Sequence, residues 1–120
     1  MTTTRLLAQM AVADLTVAEE WYARLFDRGP DAKPMAGLLV WHLADSFGVQ
    51  VWADPVRAGN STMVLDESDL AGVAAHLDRA GIAHPDPQDA TSSQILPLQD
   101  PDGNRIVFTG AFVAGAGSSG

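Results

Sequence analysis

The stretch DPDGN at residues 100–104, followed by the run RIVFT at residues 105–109, decides how this chain folds. Asp and Asn side chains accept hydrogen bonds from the backbone of a turn. Pro101 fixes φ near the value needed at the first central position, and Gly103 can adopt a positive φ. The run that follows is rich in β-branched and aromatic residues, as strands are. We therefore predict a tight turn that joins this strand to another at residues 94–99.

Towards the N-terminus, the sequence predicts a strand followed by a helix. Residues 6–12 form a short apolar run of the kind found in buried strands. The helix is expected to begin at Thr16, whose hydroxyl caps it, with Glu19 completing a capping box. Gly29 ends it. The helix carries one apolar stripe, formed by Ala18, Trp21, Tyr22, Leu25 and Phe26.

A hairpin follows this helix. Residues 38–44 and 47–53 are apolar and aromatic without helical spacing, which indicates two strands. We predict a two-residue turn at residues 45–46, and this turn fixes the register of the pair. The register places four side chains on one face of the sheet: Leu39, Trp41, Gln50 and Trp52.

The second half of the chain repeats the order of the first. Residues 62–65 form a strand, Ser68 or Asp69 caps a helix, and Gly81 ends that helix. Further strands follow from about Ile82 onward. Self-similarity at half-length is a sign of duplication. The sequence therefore predicts an α+β fold made of two βαβββ modules.

The turn at residues 100–104 resembles the last hairpin of the vicinal oxygen chelate superfamily, which holds glyoxalases, extradiol dioxygenases and bleomycin-resistance proteins. The pair Trp21-Tyr22 is similar to an aromatic–tyrosine pair in the first helix of that superfamily. The resemblance implies that the two modules form a curved, mostly antiparallel eight-stranded sheet. It covers almost the whole chain.

We expect one domain at residues 1–110, with modules at about 1–55 and 60–110. Residues 111–120 end in GAGSSG, which is the composition of a flexible linker and is typical of an appended expression sequence.

Charge and composition limit the partners and the compartment. The net charge of −8 repels polyanions, so nucleic acid is not an expected partner. No apolar run reaches the roughly 20 residues that span a bilayer, and the first residues lack a secretion signal. The chain has no cysteine, which excludes disulfides and thiol chemistry. We therefore expect a cytoplasmic protein with no membrane or nucleic-acid partner.

The resemblance also implies a metal site in the superfamily's enzymes, where His and carboxylate ligands come from four strands. The corresponding positions of this chain hold Leu7, Gln50, Thr62 and Val107. Leu and Val have no donor atom, and the neutral oxygens of Thr and Gln do not supply the charge that a divalent ion needs. We therefore predict no metal and no cofactor, which corresponds to a metal-free branch of the superfamily.

The sheet face with the tryptophans is expected to line a small-molecule cavity with a few polar groups. The resemblance to antibiotic-binding members implies an aromatic natural product or antibiotic, cationic in view of the acidic surface. It would be bound without turnover on the tryptophans, at the interface of a homodimer. The predicted ligand-binding residues are Leu7, Gln9, Leu39, Trp41, Gln50, Trp52, Thr62 and Val107.

Two other functions fit the same sequence. A metal-independent isomerase, epimerase or cyclase would need an acid or base in the cavity, and the candidates are Tyr22, His42, Asp45 and Asp54. A regulatory or interaction module would instead have a cavity filled by the chain's own side chains. The tryptophans would then be core residues.

Overall fold

The computed structural model describes residues 1–111. They form two helices and two four-stranded sheets, which divide into two compact units. The first unit comprises Met1–Met63 and Gln99–Arg105, and the second comprises Val64–Leu98 and the described residues from Ile106 onward. Within this part of the chain, neither helix has the length and apolar character needed to cross a membrane.

The first unit holds four strands and one helix. These are β1 (Leu6–Val12), α1 (Leu15–Phe26), β2 (Ala32–Met35), β3 (Leu38–His42) and β4 (Phe47–Ala53). The strand order across the sheet is β1-β4-β3-β2. β1 runs parallel to β4, whereas β3 is antiparallel to both β4 and β2.

The N-terminal cap of α1 is Asp14. Its Oδ1 accepts hydrogen bonds from the backbone N–H of Thr16 at 2.9 Å and of Val17 at 3.2 Å. The cap predicted at Thr16 is therefore wrong by two residues, because the carboxylate of Asp14 already satisfies the first free amides of the helix. The helix ends at Asp27, which adopts a left-handed φ of 58°. This end lies two residues before the glycine that was expected to stop the helix.

The side chains of α1 cover one face of the first sheet. The ring centroids of Tyr22 and Phe26 lie 6.0 and 5.7 Å from that of Trp41. The indole Nε1 of Trp41 donates to the carbonyl oxygen of Arg28 at 3.0 Å, so its one polar group is satisfied in the core. Buried sheet residues on this face are Met10, Val12, Leu39, Trp41, Val49 and Val51.

The register of the β3–β4 hairpin differs by one residue from the prediction. Leu38 is paired with Trp52, and Val40 with Gln50. The turn is one residue longer than expected, and the carbonyl of Phe47 accepts from the N–H groups of Leu43 and Ala44. A slip of one residue transfers side chains to the opposite face. Leu39 and Trp41 therefore lie on the α1 face, whereas Gln50 and Trp52 lie on the other.

The second module has the same order of elements as the first. It consists of β5 (Thr62–Asp66), α2 (Leu70–Arg79), β6 (Gln88–Asp89), β7 (Gln94–Gln99) and β8 (Arg105–Gly110). Its strand order is β5-β8-β7-β6. The predicted cap at Asp69 is confirmed, because its Oδ1 accepts from the N–H of Gly72 at 3.0 Å. Gly81 follows the helix with a φ of 71°.

The predicted α+β arrangement of two βαβββ modules is confirmed. The limits predicted for the two modules stay a prediction, although the turn at residues 100–104 belongs to the first compact unit. Apart from Ala111, the predicted tail at residues 111–120 lies outside the described residues.

Candidate functional site

The DPDGN turn is closed by the side chain of its first residue. The Oδ1 atom of Asp100 accepts from the backbone N–H of Asp102 and of Asn104, each at 2.9 Å. The N–H of Gly103 donates to the Asp100 carbonyl at 2.9 Å, and Gly103 has a φ of 92°. The turn thus uses the local hydrogen bonds and the positive φ that its sequence predicts.

The second carboxylate oxygen of Asp100 faces the core of the first unit. It accepts from the hydroxyl of Tyr22 at 2.7 Å and from Nδ2 of Asn104 at 2.7 Å. Burial of the phenol and the neighbouring Asp100 carboxylate both raise the pKa of Tyr22. Tyr22 therefore stays protonated and acts as a hydrogen-bond donor to a buried anion. Four donors together offset the desolvation of Asp100.

Asn104 connects this turn to β1 and to the loop after β4. Its Nδ2 also donates to the carbonyl of Ala11 at 2.7 Å, and its Oδ1 accepts from the N–H of Ser61 at 2.8 Å. The Oγ of Ser61 accepts from the N–H of Ala11 at 3.0 Å. The edge of β1 is therefore paired here with two side chains. The loop at residues 54–61 is fixed to the strand as a result.

Gly59 holds the same loop against the turn. A Cβ atom added at Gly59 would lie 2.6 Å from the carbonyl oxygen of Asp102, and its φ is +88°. Both the space and the backbone conformation require glycine at this position. The loop after β4 consequently has little freedom to move away from the turn.

A pocket opens between this loop and the face of the first sheet that lies opposite α1. Its volume is about 180 Å³, and its lining residues are Gln9, Ala11, Trp52, Arg57, Asn60 and Ser61. The strand residues meet here because β1 and β4 are adjacent and Ala11 is paired with Trp52. Drug-sized ligands usually occupy pockets of about 300–1,000 Å³. The pocket therefore fits a small ligand or one ring system of a larger one.

One carboxylate stands beside the indole of the pocket. Nε1 of Trp52 donates to Oδ2 of Asp54 at 3.4 Å. The Nε atom of Arg57 lies 3.9 Å from the same oxygen, and the Arg57 side chain is 80% exposed. Arg57 also donates its backbone N–H to Oδ1 of Asp54 at 3.4 Å. Asp54 thus holds the indole and the first residues of the loop in place.

The predicted site residues of the first unit are only partly brought together. Gln9 and Trp52 line the pocket, and Gln9 donates to Oε1 of Gln50 at 3.3 Å. Leu7 lies on the same face, where its Cδ2 would be 2.9 Å from a Cβ at Gly48.

Leu39 and Trp41 do not share this face, since both are buried on the side of α1. The error in the hairpin register explains why the sequence placed them beside Trp52.

The two remaining predicted residues lie on β5 and β8. Thr62 is exposed at the start of β5, and Val107 is half-buried on β8. Val107 alternates with the buried residues Ile106 and Phe108, so its side chain lies on the opposite face of the second sheet. A cavity that combines all eight predicted residues stays a prediction.

Four lining residues were missed by the sequence reasoning. Ala11 gave no chemical signal, while Arg57, Asn60 and Ser61 lie in a stretch that reads as a linker. The signal that could have found them is the turn sequence beginning with Asp54 and Pro55, followed by two polar residues after a glycine. Such a loop places side chains at the end of a strand.

The candidate acid–base residues are dispersed. Asp54 stands beside the pocket, whereas Tyr22 belongs to the buried network of Asp100. Asp45 is exposed in the β3–β4 turn. The ring Nδ1 of His42 is buried without a hydrogen-bond partner among the described residues. These positions do not assemble the acid–base pair that an isomerase or epimerase would use.

The positions at which a metal site was implied do not fit a cation. Leu7, Gln50, Thr62 and Val107 together offer two neutral oxygen donors and no carboxylate or imidazole. Among residues 1–111, no group of three or more His, Asp or Glu side chains is placed so that it could hold a metal ion.

Comparisons with known proteins agree on the fold. No protein-family model and no curated protein matches the chain. A glyoxalase/bleomycin-resistance protein from Catenulispora acidiphila has 27% identity and a TM-score of 0.82, with 89% of this chain and 97% of that chain covered.

Two further solved structures show the same fold at lower identity. An antibiotic-binding protein from a Streptomyces species has 21% identity and a TM-score of 0.74, with 92% and 97% of the two chains covered. A bleomycin-resistance determinant encoded on transposon Tn5 has 18% identity and a TM-score of 0.75, with 91% and 98% covered.

Proposed function

We propose, from the premise that this chain belongs to the vicinal oxygen chelate superfamily, that it binds an aromatic natural product or antibiotic without a metal and without turnover. The observation that carries the proposal is the indole of Trp52, which lines a pocket together with hydrogen-bonding side chains. Concave sites with an apolar wall and a few polar groups are the usual form of small-molecule sites.

The contrast among the three tryptophans supports this role for Trp52. Trp41 and Trp21 are 0% and 8% exposed and belong to the core. Trp52 is half-buried on the opposite face of the sheet from Trp41. An indole that is left partly open offers apolar area and a π-face to a planar ligand. Stacking on it would remove that area from water.

The donor chemistry supports binding without a metal. The four positions that carry metal ligands in the superfamily's enzymes hold side chains that cannot bind a divalent ion tightly. No step of the proposed function therefore involves a metal. The antibiotic-binding protein from Streptomyces provides a precedent for binding on this fold.

We also propose that the protein acts as a homodimer. Leu6 and Phe47, which are paired at the start of β1 and β4, are 75% and 48% exposed. Val56, in the loop that lines the pocket, is 90% exposed. Exposed apolar side chains next to one another are commonly covered by a partner. A second copy that covers Val56 would also extend a pocket of this size.

The test is binding of planar aromatic compounds by calorimetry. A panel that includes anionic, neutral and cationic ring systems should contain ligands of the wild-type protein. Trp52→Ala should weaken their binding by about tenfold or more, since loss of a stacking aromatic costs roughly 1–3 kcal/mol. Trp52→Phe should retain part of the affinity because it keeps a ring.

Val64→Ala is the control, because Val64 is 62% exposed on β5 and does not line the pocket. It should bind every compound like the wild type. Unchanged affinity in Trp52→Ala, or a panel without any ligand, would show that the proposal is wrong.

A further inference from the structure

We infer that the pocket beside Trp52 selects its ligand by oxygen acceptors, such as a carbonyl or carboxylate attached to a planar ring system, and that it discriminates against organic cations. This inference rests on the proposed function and specifies its ligand class. It is carried by the contacts that Ser61, Arg57 and Asp54 make within the first unit.

Ser61 lines the pocket with a hydroxyl whose oxygen is already engaged by β1. Its backbone N–H donates to Asn104, and its Oγ accepts from the N–H of Ala11 at 3.0 Å. The hydroxyl hydrogen itself has no acceptor within residues 1–111. Because Oγ already accepts a hydrogen bond from the N–H of Ala11, the hydroxyl can still donate its own hydrogen to a ligand. Ser61 lines the pocket, so the group that receives this hydrogen bond is a ligand oxygen or water.

Arg57 adds a cation to the same lining. Its Nε atom lies 3.9 Å from Asp54, and in the described part of the chain its two terminal nitrogens contact no carboxylate. Asn60 donates to the carbonyl of Arg57 through both its backbone N–H, at 3.2 Å, and its side chain, at 3.4 Å. The backbone of Arg57 is thereby fixed while its guanidinium stays available. The planar guanidinium is well suited to a carboxylate or a carbonyl.

The nearby carboxylate is poorly placed to receive a cationic ligand. Asp54 already accepts from the indole of Trp52 and from the backbone N–H of Arg57, and its Oδ2 lies 3.9 Å from Nε of the Arg57 guanidinium. A bound ammonium would have to compete with these donors and would be repelled by Arg57. The side chains that line the pocket carry no carboxylate, and their acceptors are the neutral oxygens of Gln9, Asn60 and Ser61.

The local chemistry therefore opposes the expectation drawn from net charge. A charge of −8 attracts cations to the surface as a whole, but such attraction is screened by salt over about 10 Å. Contacts within hydrogen-bond distance decide which functional group is held in the pocket. The net charge affects how fast a ligand associates, and the residues that line the pocket determine which functional group is bound.

Three naphthalene probes with the same point of attachment test this inference by calorimetry. They are naphthoate, acetylnaphthalene and naphthylmethylammonium, which share the ring and differ in the polar group. We expect naphthoate to bind about tenfold more tightly than the ammonium probe, with acetylnaphthalene between them. Raising the salt concentration should reduce the difference between the two charged probes.

Variants of the lining residues test which side chains produce the preference for naphthoate. Arg57→Gln should weaken naphthoate by about tenfold and acetylnaphthalene by less, since only the first loses an ion pair. Ser61→Ala should weaken both, and Ser61→Thr, which retains the hydroxyl, should restore binding. Arg79→Gln is the matched control, because Arg79 lies on α2 and not at the pocket. Urea unfolding of each variant separates loss of binding from loss of the fold.

The results separate this inference from the proposed function. If Trp52→Ala abolishes binding but the ammonium probe binds as tightly as naphthoate, the acceptor preference is wrong and the proposed function stands. Unchanged naphthoate affinity in Arg57→Gln has the same meaning. If none of the three probes binds, the inference is wrong, and the wider panel of compounds then decides the proposed function.

Discussion

At the scale of the residue, Asp100 shows how a buried charge is stabilised in this protein. The residue is 5% exposed, and its two carboxylate oxygens accept four hydrogen bonds. Two of the donors are backbone amides of its own turn, and one is the hydroxyl of Tyr22 on α1. Removal of one donor leaves part of a buried anion unsatisfied, which costs more than the loss of a surface hydrogen bond.

We expect Tyr22→Phe to lower the free energy of unfolding by about 1.5–3 kcal/mol, the usual range for a hydrogen bond to a charged group. Urea unfolding followed by far-UV circular dichroism measures this change. Thr109→Val is a matched control, because its hydroxyl donates to Asp66 at 3.0 Å in an exposed position. The control should change stability by no more than about 0.5 kcal/mol. Equal effects of the two substitutions would contradict the role assigned to Asp100.

The sequence predicted half of this network. The hydrogen bonds that Asp100 accepts from nearby backbone N–H groups could be predicted from the turn sequence alone. The contact with Tyr22 does not, because the two residues are 78 positions apart and only tertiary packing joins them. The same limit applies to Asn104, whose contact with Ala11 spans 93 positions. The turn could be predicted from its local sequence, whereas its hydrogen bonds to α1 and β1 are visible only in the structure.

At the scale of the element, the hairpin of β3 and β4 shows why Leu39 and Trp41 were expected on the same sheet face as Trp52. A two-residue hairpin turn needs a positive φ at one or both central residues, which glycine and asparagine tolerate best. Asp45 and Ser46 do not supply it, and among the described non-glycine residues only Asp27 has a positive φ. The turn therefore lengthens by one residue. That change moves Trp41 into the core and leaves Trp52 in the pocket.

A second element-scale feature links α2 to the segment that follows it. The two ring nitrogens of His84 lie 2.8 Å from the carbonyl of Pro85 and 2.7 Å from Oδ1 of Asp78. Neutral imidazole can donate through only one nitrogen, whereas imidazolium donates through both. The backbone carbonyl, followed by the Asp78 carboxylate, therefore raises the pKa of His84.

The contacts of His84 predict that the stability of the protein depends on pH. Because the pKa of His84 is higher in the folded state, its contribution is fully present below the unfolded value of about 6.5 and is lost as pH rises through the folded pKa. We expect His84→Gln to destabilise the protein more at acidic than at alkaline pH. Unfolding in urea across this range measures the effect.

Asp78→Asn serves as the companion variant for this prediction. It removes the charged partner of His84, so the wild-type pH dependence should become weaker. A difference between wild type and His84→Gln that does not change with pH would contradict the assignment.

At the scale of the whole molecule, the predicted homodimer can be tested directly. We expect light scattering to give twice the mass of one chain for the wild type. Substitution of Leu6 and Phe47 together by Asp should shift the protein towards monomers, because paired carboxylates would enter an apolar contact. Val17→Asp is the control, since Val17 is also 48% exposed but lies on α1. A wild-type protein that stays monomeric at all concentrations would exclude the dimer.

The order of elements was predictable because it depends on local signals that occur twice. Residues 6–12 and 62–65 start the two modules, and the capping Asp69 and the Gly81 that follows α2 are visible in the sequence. The pocket was less predictable, since it depends on a register and on a loop whose polar residues resemble a linker. The order of elements along the chain thus follows from sequence patterns, while a site depends on the position of single side chains.

The double attachment of Asn104 has a consequence for engineering. The backbone around the pocket is held by the turn, through the carbonyl of Ala11 and the N–H of Ser61, and by the Ser61 hydroxyl on Ala11. Residues 9, 57 and 60 can therefore be varied with little cost to the scaffold. A library that randomises these three positions and keeps residues 100–104 should yield mostly folded proteins. New ligand preferences could then be selected without first repairing stability.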